Sequence, residues 1–124
     1  MSAFTPPNPD FRAFVRDYVA AQRYLAALGV ELGEVEPGHA TYLVPFRPDL
    51  GQQSGFFHGG VIGGVAEAVM GAAAATLAPV GHDVVGASYT LNLLTPALGP
   101  LLVARGEVIK PGRRLVVCRA DVLV

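Results

Sequence analysis

Glu67 is the only Asp, Glu, Lys or Arg between Asp49 and Asp83, and it stands inside an apolar run that extends from Val61 to Ala78. A lone carboxylate is expensive to bury unless it has a partner or a task. Nine residues earlier, His58-Gly59-Gly60 closes the polar, glycine-rich loop Gln52-Gln53-Ser54-Gly55-Phe56-Phe57. The first N–H groups of a helix lack internal acceptors and form the positive end of its dipole. Glycine at such a place lets a ligand reach the main chain without a Cβ in the way. Together these groups suit a carbonyl substrate, polarised by backbone N–H at Gly59 and attacked with the help of Glu67 as base or nucleophile. The competing structural reading is that His58 merely caps a helix and that Gly59 and Gly60 merely let it pack closely.

The elements that must hold these groups follow from the pattern on either side. Asn8-Pro9-Asp10 reads as a helix start, and Phe11, Phe14, Val15, Tyr18, Val19, Leu25 and Leu28 recur at helical spacing. One amphipathic helix is therefore predicted over residues 9–28, stopped by Gly29. Val30–Val35 and Ala40–Phe46 are predicted strands around the turn Glu36-Pro37-Gly38-His39, with His39 solvated. Arg47–Phe57 is a loop. Residues 59–78 form a helix that is apolar all round and hence central, ended by Pro79 and Gly81, with His82 and Asp83 in the solvated loop beyond. Val84–Leu94, Leu101–Ile109 and Arg114–Val124 read as strands, joined by Thr95-Pro96-Ala97-Leu98-Gly99-Pro100 and Lys110-Pro111-Gly112-Arg113. Without repeated β-α-β alternation, the order favours an α+β fold with an antiparallel sheet in a single domain over 1–124.

Composition removes several classes of function. The chain has 124 residues, 52% hydrophobic and 15% charged, which suits one well-packed core. A net charge of −1 offers no general pull toward nucleic acid or anionic lipid. Val61–Val80 is long enough to span a bilayer, and Gly60 and Gly64 at its start resemble a small-xxx-small packing pair. Its alanines and glycines, Glu67, Pro79 and the lack of flanking basic clusters argue for a protein-buried helix instead. Met1–Asp10 has neither the basic nor the apolar region of a secretory signal. Cys118 has no second cysteine to pair with, so it is read as a buried structural thiol in a reducing, cytoplasmic setting. No His, Cys, Asp and Glu group has metal-ligand spacing, so no metal and no separate cofactor are expected.

Gln52, six residues before His58-Gly59-Gly60, and Glu67 resemble the signature of hotdog-fold acyl-CoA thioesterases, nearest to the PaaI-like (phenylacetic acid degradation, hydroxybenzoyl-CoA thioesterase) group. The likeness covers roughly Val30 to Val124 and takes in Thr95–Gly99 and the Lys110–Arg113 turn. It implies an antiparallel sheet wrapped around the long central helix, here with an extra N-terminal helix. It further implies that Glu67 is the catalytic carboxylate and that the Gly59 N–H, with Gly60 beside it, binds the thioester oxygen. Gln52 would orient the carbonyl or water, and His58 would shape the loop. In the family these groups meet across a dimer interface, so a homodimer or a dimer-of-dimers tetramer is expected, with acyl-CoA as the small-molecule partner.

Arg113 and Arg114, with Lys110 and Gly112, could meet the phosphates of coenzyme A, although a solvated hairpin turn is the equal alternative. Phe56, Phe57, Met70 and Tyr89 are candidate acyl-pocket residues, with ordinary core packing as the competing reading. The sequence departs from the family at Gly71, where some members carry a Thr or Ser hydroxyl. It departs again at Gly86, which aligns with a serine in others, with Ser88 close by. The family also continues with a further strand where this sequence stops at Val124. Two other functions remain in view: a non-catalytic acyl-CoA or acyl-carrier binding module, and a 3-hydroxyacyl thioester dehydratase.

Overall fold

The computed structural model describes residues 3–124. Helix α1 (Phe11–Ala20) and helix α2 (Arg23–Leu28) lead into strands β1 (Glu31–Glu36) and β2 (His39–Pro45). A short 3-10 turn (Pro48–Leu50) precedes helix α3 (Gly59–Ala75), and strands β3 (Leu101–Pro111) and β4 (Val116–Leu123) follow. The four strands form one antiparallel sheet in the order β1-β2-β3-β4, and α3 packs on it. The α+β class and the antiparallel sheet around a central helix are as the sequence implied.

Alternation in β2 and β3 sets the core. Ala40, Tyr42 and Val44 on β2, with Leu102, Ala104 and Val108 on β3, turn inward onto Val61, Val65, Val69, Ala72 and Ala75 of α3. The closest crossing is at Gly106, where a Cβ would stand 2.6 Å from the Val69 carbonyl oxygen. Only glycine admits the helix backbone at that distance. Thr76, fully buried, fastens the far end of α3: its hydroxyl donates to the Ala73 carbonyl at 2.6 Å and accepts from the Gly38 N–H at 2.8 Å.

Three predicted elements change. The single N-terminal helix is two, because Gln22 adopts an extended conformation and its side-chain amide donates to the Tyr18 carbonyl at 3.2 Å. Asn8 caps a turn before the helix by accepting from the Asp10 N–H at 2.9 Å, so helical structure begins at Phe11. The central helix ends at Ala75 rather than Ala78, since Leu77 and Ala78 donate to carbonyls three residues back and tighten the last turn.

The third change is the largest. Val84–Leu94 joins no strand of the sheet. It runs back along α3, with Leu93 against Gly59, Leu91 and Tyr89 against Gly63, and Gly86 against Glu67. Alternating apolar side chains encode a preference for the extended state, but a strand also needs a neighbour about 4.8 Å away. None of the four strands reaches this segment. Between it and β4 lies a groove of about 1590 Å³.

Candidate active site

The loop before α3 is built by its own hydrogen bonds. Gly51 and Phe57 form an antiparallel bridge, the Gln52 N–H donates to the Phe56 carbonyl at 2.8 Å, and the Gly55 N–H returns to the Gln52 carbonyl at 3.1 Å. Gly55 takes the left-handed conformation (φ +86°) that this turn requires. The Gln52 side-chain oxygen accepts from the Ser54 N–H at 2.5 Å and the Phe56 N–H at 3.3 Å. Its amide nitrogen is therefore the part left to meet a ligand.

His58 caps α3: its Nδ1 accepts from the Gly60 N–H at 2.8 Å. An accepting Nδ1 places the neutral-ring proton on Nε2. The structural reading of His58 thus holds, and it leaves Nε2 as an exposed donor. The Gly59 N–H, the first of the helix, has no acceptor among the described residues.

Glu67 lies eight residues further along, about 12 Å up the helix and about 80° around it. The sequence suggested full burial, but the side chain is half-buried and lines the groove. It has no ion pair or hydrogen bond among the described residues. Its surroundings are set by residues that left room. A Cβ at Gly86 would stand 3.4 Å from Glu67 Oε1. Three residues before Glu67, Gly64 lies under the Tyr24 hydroxyl; four residues after it, Gly71 lies under the Tyr18 hydroxyl, 3.1 Å from where a Cβ would be. These positions share one helix face. Burial, then the negative charges of Asp83 and Glu67, push the Tyr18 phenol above its ordinary value. Tyr42 is pushed up by burial, Tyr18 and Glu67 in turn, and its fully buried hydroxyl has no hydrogen-bond partner among the described residues.

The groove gathers some of the candidate residues and not others. Met70, Gly71, Gly86, Ser88, Tyr89, Gly112, Arg113 and Arg114 line it with Glu67. Gln52, His58, Gly59, Gly60 and Lys110 do not. Phe57 is in the core, 2% exposed and edge-on to Phe46 at 5.0 Å, and Phe56 is likewise outside the groove. Arg113 and Arg114 are exposed in the β3–β4 turn. Cys118 is half-buried rather than buried, and burial raises its thiol above the ordinary range, which disfavours the thiolate. Asp83, read as loop only, lines the groove beside Tyr18. Among the described residues no group of three His, Cys, Asp or Glu could hold a metal, and no helix is long and apolar enough to cross a membrane.

Sequence reasoning passed over Tyr18 and Tyr24. In the linear pattern Tyr18 was one more member of an apolar stripe and Tyr24 went unremarked; the glycines at 64 and 71 were the only trace of them.

The family model of the thioesterase superfamily matches residues 54–123. The crystal structure of a thioesterase family protein from Silicibacter pomeroyi is similar with a TM-score of 0.89 at 35% identity, covering 90% of this chain and 82% of that one. A thioesterase from Haemophilus influenzae is similar with a TM-score of 0.79 at 25% identity, covering 98% of this chain and 80% of that one. The Escherichia coli PaaI protein from the phenylacetic acid degradation operon shares the fold, with a TM-score of 0.82 at 18% identity over 90% of this chain and 80% of its own. No curated protein sequence matched. The chain belongs to the thioesterase superfamily, and its fold is the hotdog fold of the PaaI-like members.

Proposed function

We propose that this protein hydrolyses acyl-CoA thioesters to the free acid and coenzyme A. The observation that carries this reading is Glu67: an unpaired carboxylate on the apolar helix of a thioesterase-superfamily fold, opening onto an apolar-lined groove. Glu67 takes a proton from water as the water oxygen attacks the thioester carbon. The Gly59 N–H supports the negative charge on the carbonyl oxygen, the C–S bond breaks, and the departing thiolate takes the proton from Glu67. In the alternative order Glu67 attacks the carbonyl itself and water then hydrolyses the anhydride. Single turnover in oxygen-18 water identifies the second route when water opens the anhydride at the Glu67 carbonyl, since only that step places label in the Glu67 carboxylate.

A second copy of the chain completes the site in this reading. Glu67 and Gly59 lie about 12 Å apart along α3, and the Gln52–Gly60 loop is not among the residues that line the groove with Glu67. A dimer that sets one chain's loop against the other's Glu67 brings them onto one carbonyl. At about 1590 Å³ the groove exceeds the roughly 300–1,000 Å³ of ordinary small-molecule pockets, so an extended thioester fits without rearrangement. Arg113 and Arg114 at its rim suit the phosphates of the nucleotide.

The test is thiol release from a panel of aromatic, short-chain and medium-chain acyl-CoAs. Glu67→Gln keeps the shape and removes the base; the expected loss in kcat is about a thousandfold or more. Wild-type turnover in that variant sinks the mechanism, and tight binding without hydrolysis by the native protein identifies a binding module instead.

A further inference from the structure

Resting on the reading of Glu67 above, we propose that Tyr18 is a positioning residue of the same site, its hydroxyl holding the water that attacks. Direct hydrolysis needs one water placed beside Glu67, to attack the thioester carbon. Glu67 alone can take that water's proton but cannot fix the direction of its lone pair.

Three observations place the Tyr18 hydroxyl for that task. Its ring stacks on Phe14 of the same helix, with centroids 6.2 Å apart and planes 30° from parallel, which orients it. Its hydroxyl lies 3.1 Å from the position a Cβ would take at Gly71, and a side chain there leans back over the turn that carries Glu67. The hydroxyl makes no hydrogen bond to protein among the described residues, and Tyr18 lines the groove with Glu67 and Asp83. A tyrosine present only for packing has no use for an oxygen directed at a bare glycine. Burial first, then Asp83 from the loop after α3 and Glu67 from α3, raise this phenol above its ordinary value, and Tyr18 in turn bears on Tyr42 of β2.

One water proton passes to Glu67, and the second O–H donates to the Tyr18 oxygen. The remaining lone pair then faces the carbonyl carbon. The C–O bond to the thioester carbon forms, the C–S bond breaks, and the departing thiolate takes the proton from Glu67.

Tyr18→Phe removes the oxygen and keeps the ring. The expected result is a kcat lower by ~10- to 100-fold with KM nearly unchanged. The double variant Tyr18→Phe with Gly71→Ser returns a hydroxyl to the same turn from the other helix and recovers most of the lost kcat. Gly71→Ser alone crowds the native phenol and lowers kcat. A second readout needs no turnover: the Tyr18 titration is isolated as the ultraviolet difference between parent and Tyr18→Phe. In Glu67→Gln it moves to lower pH, because one of the charges that holds it up is gone.

Full kcat in Tyr18→Phe, a change in KM alone, a folded double variant without recovery, or a Tyr18 titration indifferent to Glu67→Gln each overturns the proposal. If Glu67→Gln keeps its turnover, the reading of Glu67 falls and this one with it. If Glu67→Gln is inactive and Tyr18→Phe is not, only the role of Tyr18 falls.

Discussion

From Gln52 to Gly60 the chain is held mostly by its own hydrogen bonds, with one distant tie from the Phe57 N–H to the Ala97 carbonyl at 2.9 Å. The Gln52 side chain accepts from two loop amides, the Gln52 and Phe56 backbones pair, and His58 caps the helix that follows. Around Glu67 the support comes from far away in sequence: Tyr18 and Tyr24 from α1 and α2, Gly86 from the segment after α3, and Tyr42 through its charge coupling from β2. No hydrogen bond fixes the carboxylate there. The loop end is preorganised by local bonds, which suits an N–H that must aim at one oxygen. The carboxylate end is shaped by packing and charge, which suits a group that must change protonation during turnover.

After the loss expected of Glu67→Gln, the largest effect that probes this contrast is expected at Gly59. Gly59→Pro deletes the N–H at the first helical position, where proline is well accommodated. His58 already has the extended backbone (φ −63°, ψ 140°) that a following proline demands. A Cβ added there meets the end of the Leu93 side chain at 3.1 Å. The expected outcome is a loss of about 100-fold in kcat with the circular dichroism spectrum retained. Mixed after co-refolding, Gly59→Pro and Glu67→Gln chains regain activity when one chain's loop serves the other's carboxylate. A mixture as inactive as its parts puts both groups in the same chain.

Gln52→Ala tests the self-supporting end. Losing both side-chain hydrogen bonds is expected to lower stability by about 1–2 kcal/mol in urea unfolding, because the rest of the loop still pairs through its backbone. Tyr42→Phe tests the other end and is expected to have the smallest effect on stability. Removing a buried hydroxyl that has no partner leaves stability unchanged or raises it by about 1 kcal/mol. The pH dependence follows with its sign. The folded Tyr42 phenol ionises well above the ordinary value, while the unfolded one ionises near ~10. Its contribution to stability is therefore complete below about pH 10 and is lost as pH rises through and beyond that point. Melting temperature measured from pH 8 to 11.5 should fall less steeply in Tyr42→Phe than in the parent.

The sequence disclosed the loop end more readily than the carboxylate end for the same reason. Gln52, Gly55, His58 and Gly59 are neighbours in the chain, and the rules of turns and caps act over a few residues, so their spacing already describes their structure. Glu67 could be found because a charge among alanines and valines is conspicuous. What surrounds it could not, since Tyr18 reaches Gly71 only through the docking of α1 on α3. Val84–Leu94 fails as a strand for a related reason: its alternation is local, but a ladder partner is not. The break at Gln22 was hidden because the apolar stripe continues on both sides of it.

Residues 54–123 are the part by which the family is recognised, and both N-terminal helices lie before it. Yet their two phenols settle on glycines three residues before and four residues after the one carboxylate of α3. The surroundings of Glu67 are thus set in part from outside the span that the family model matches.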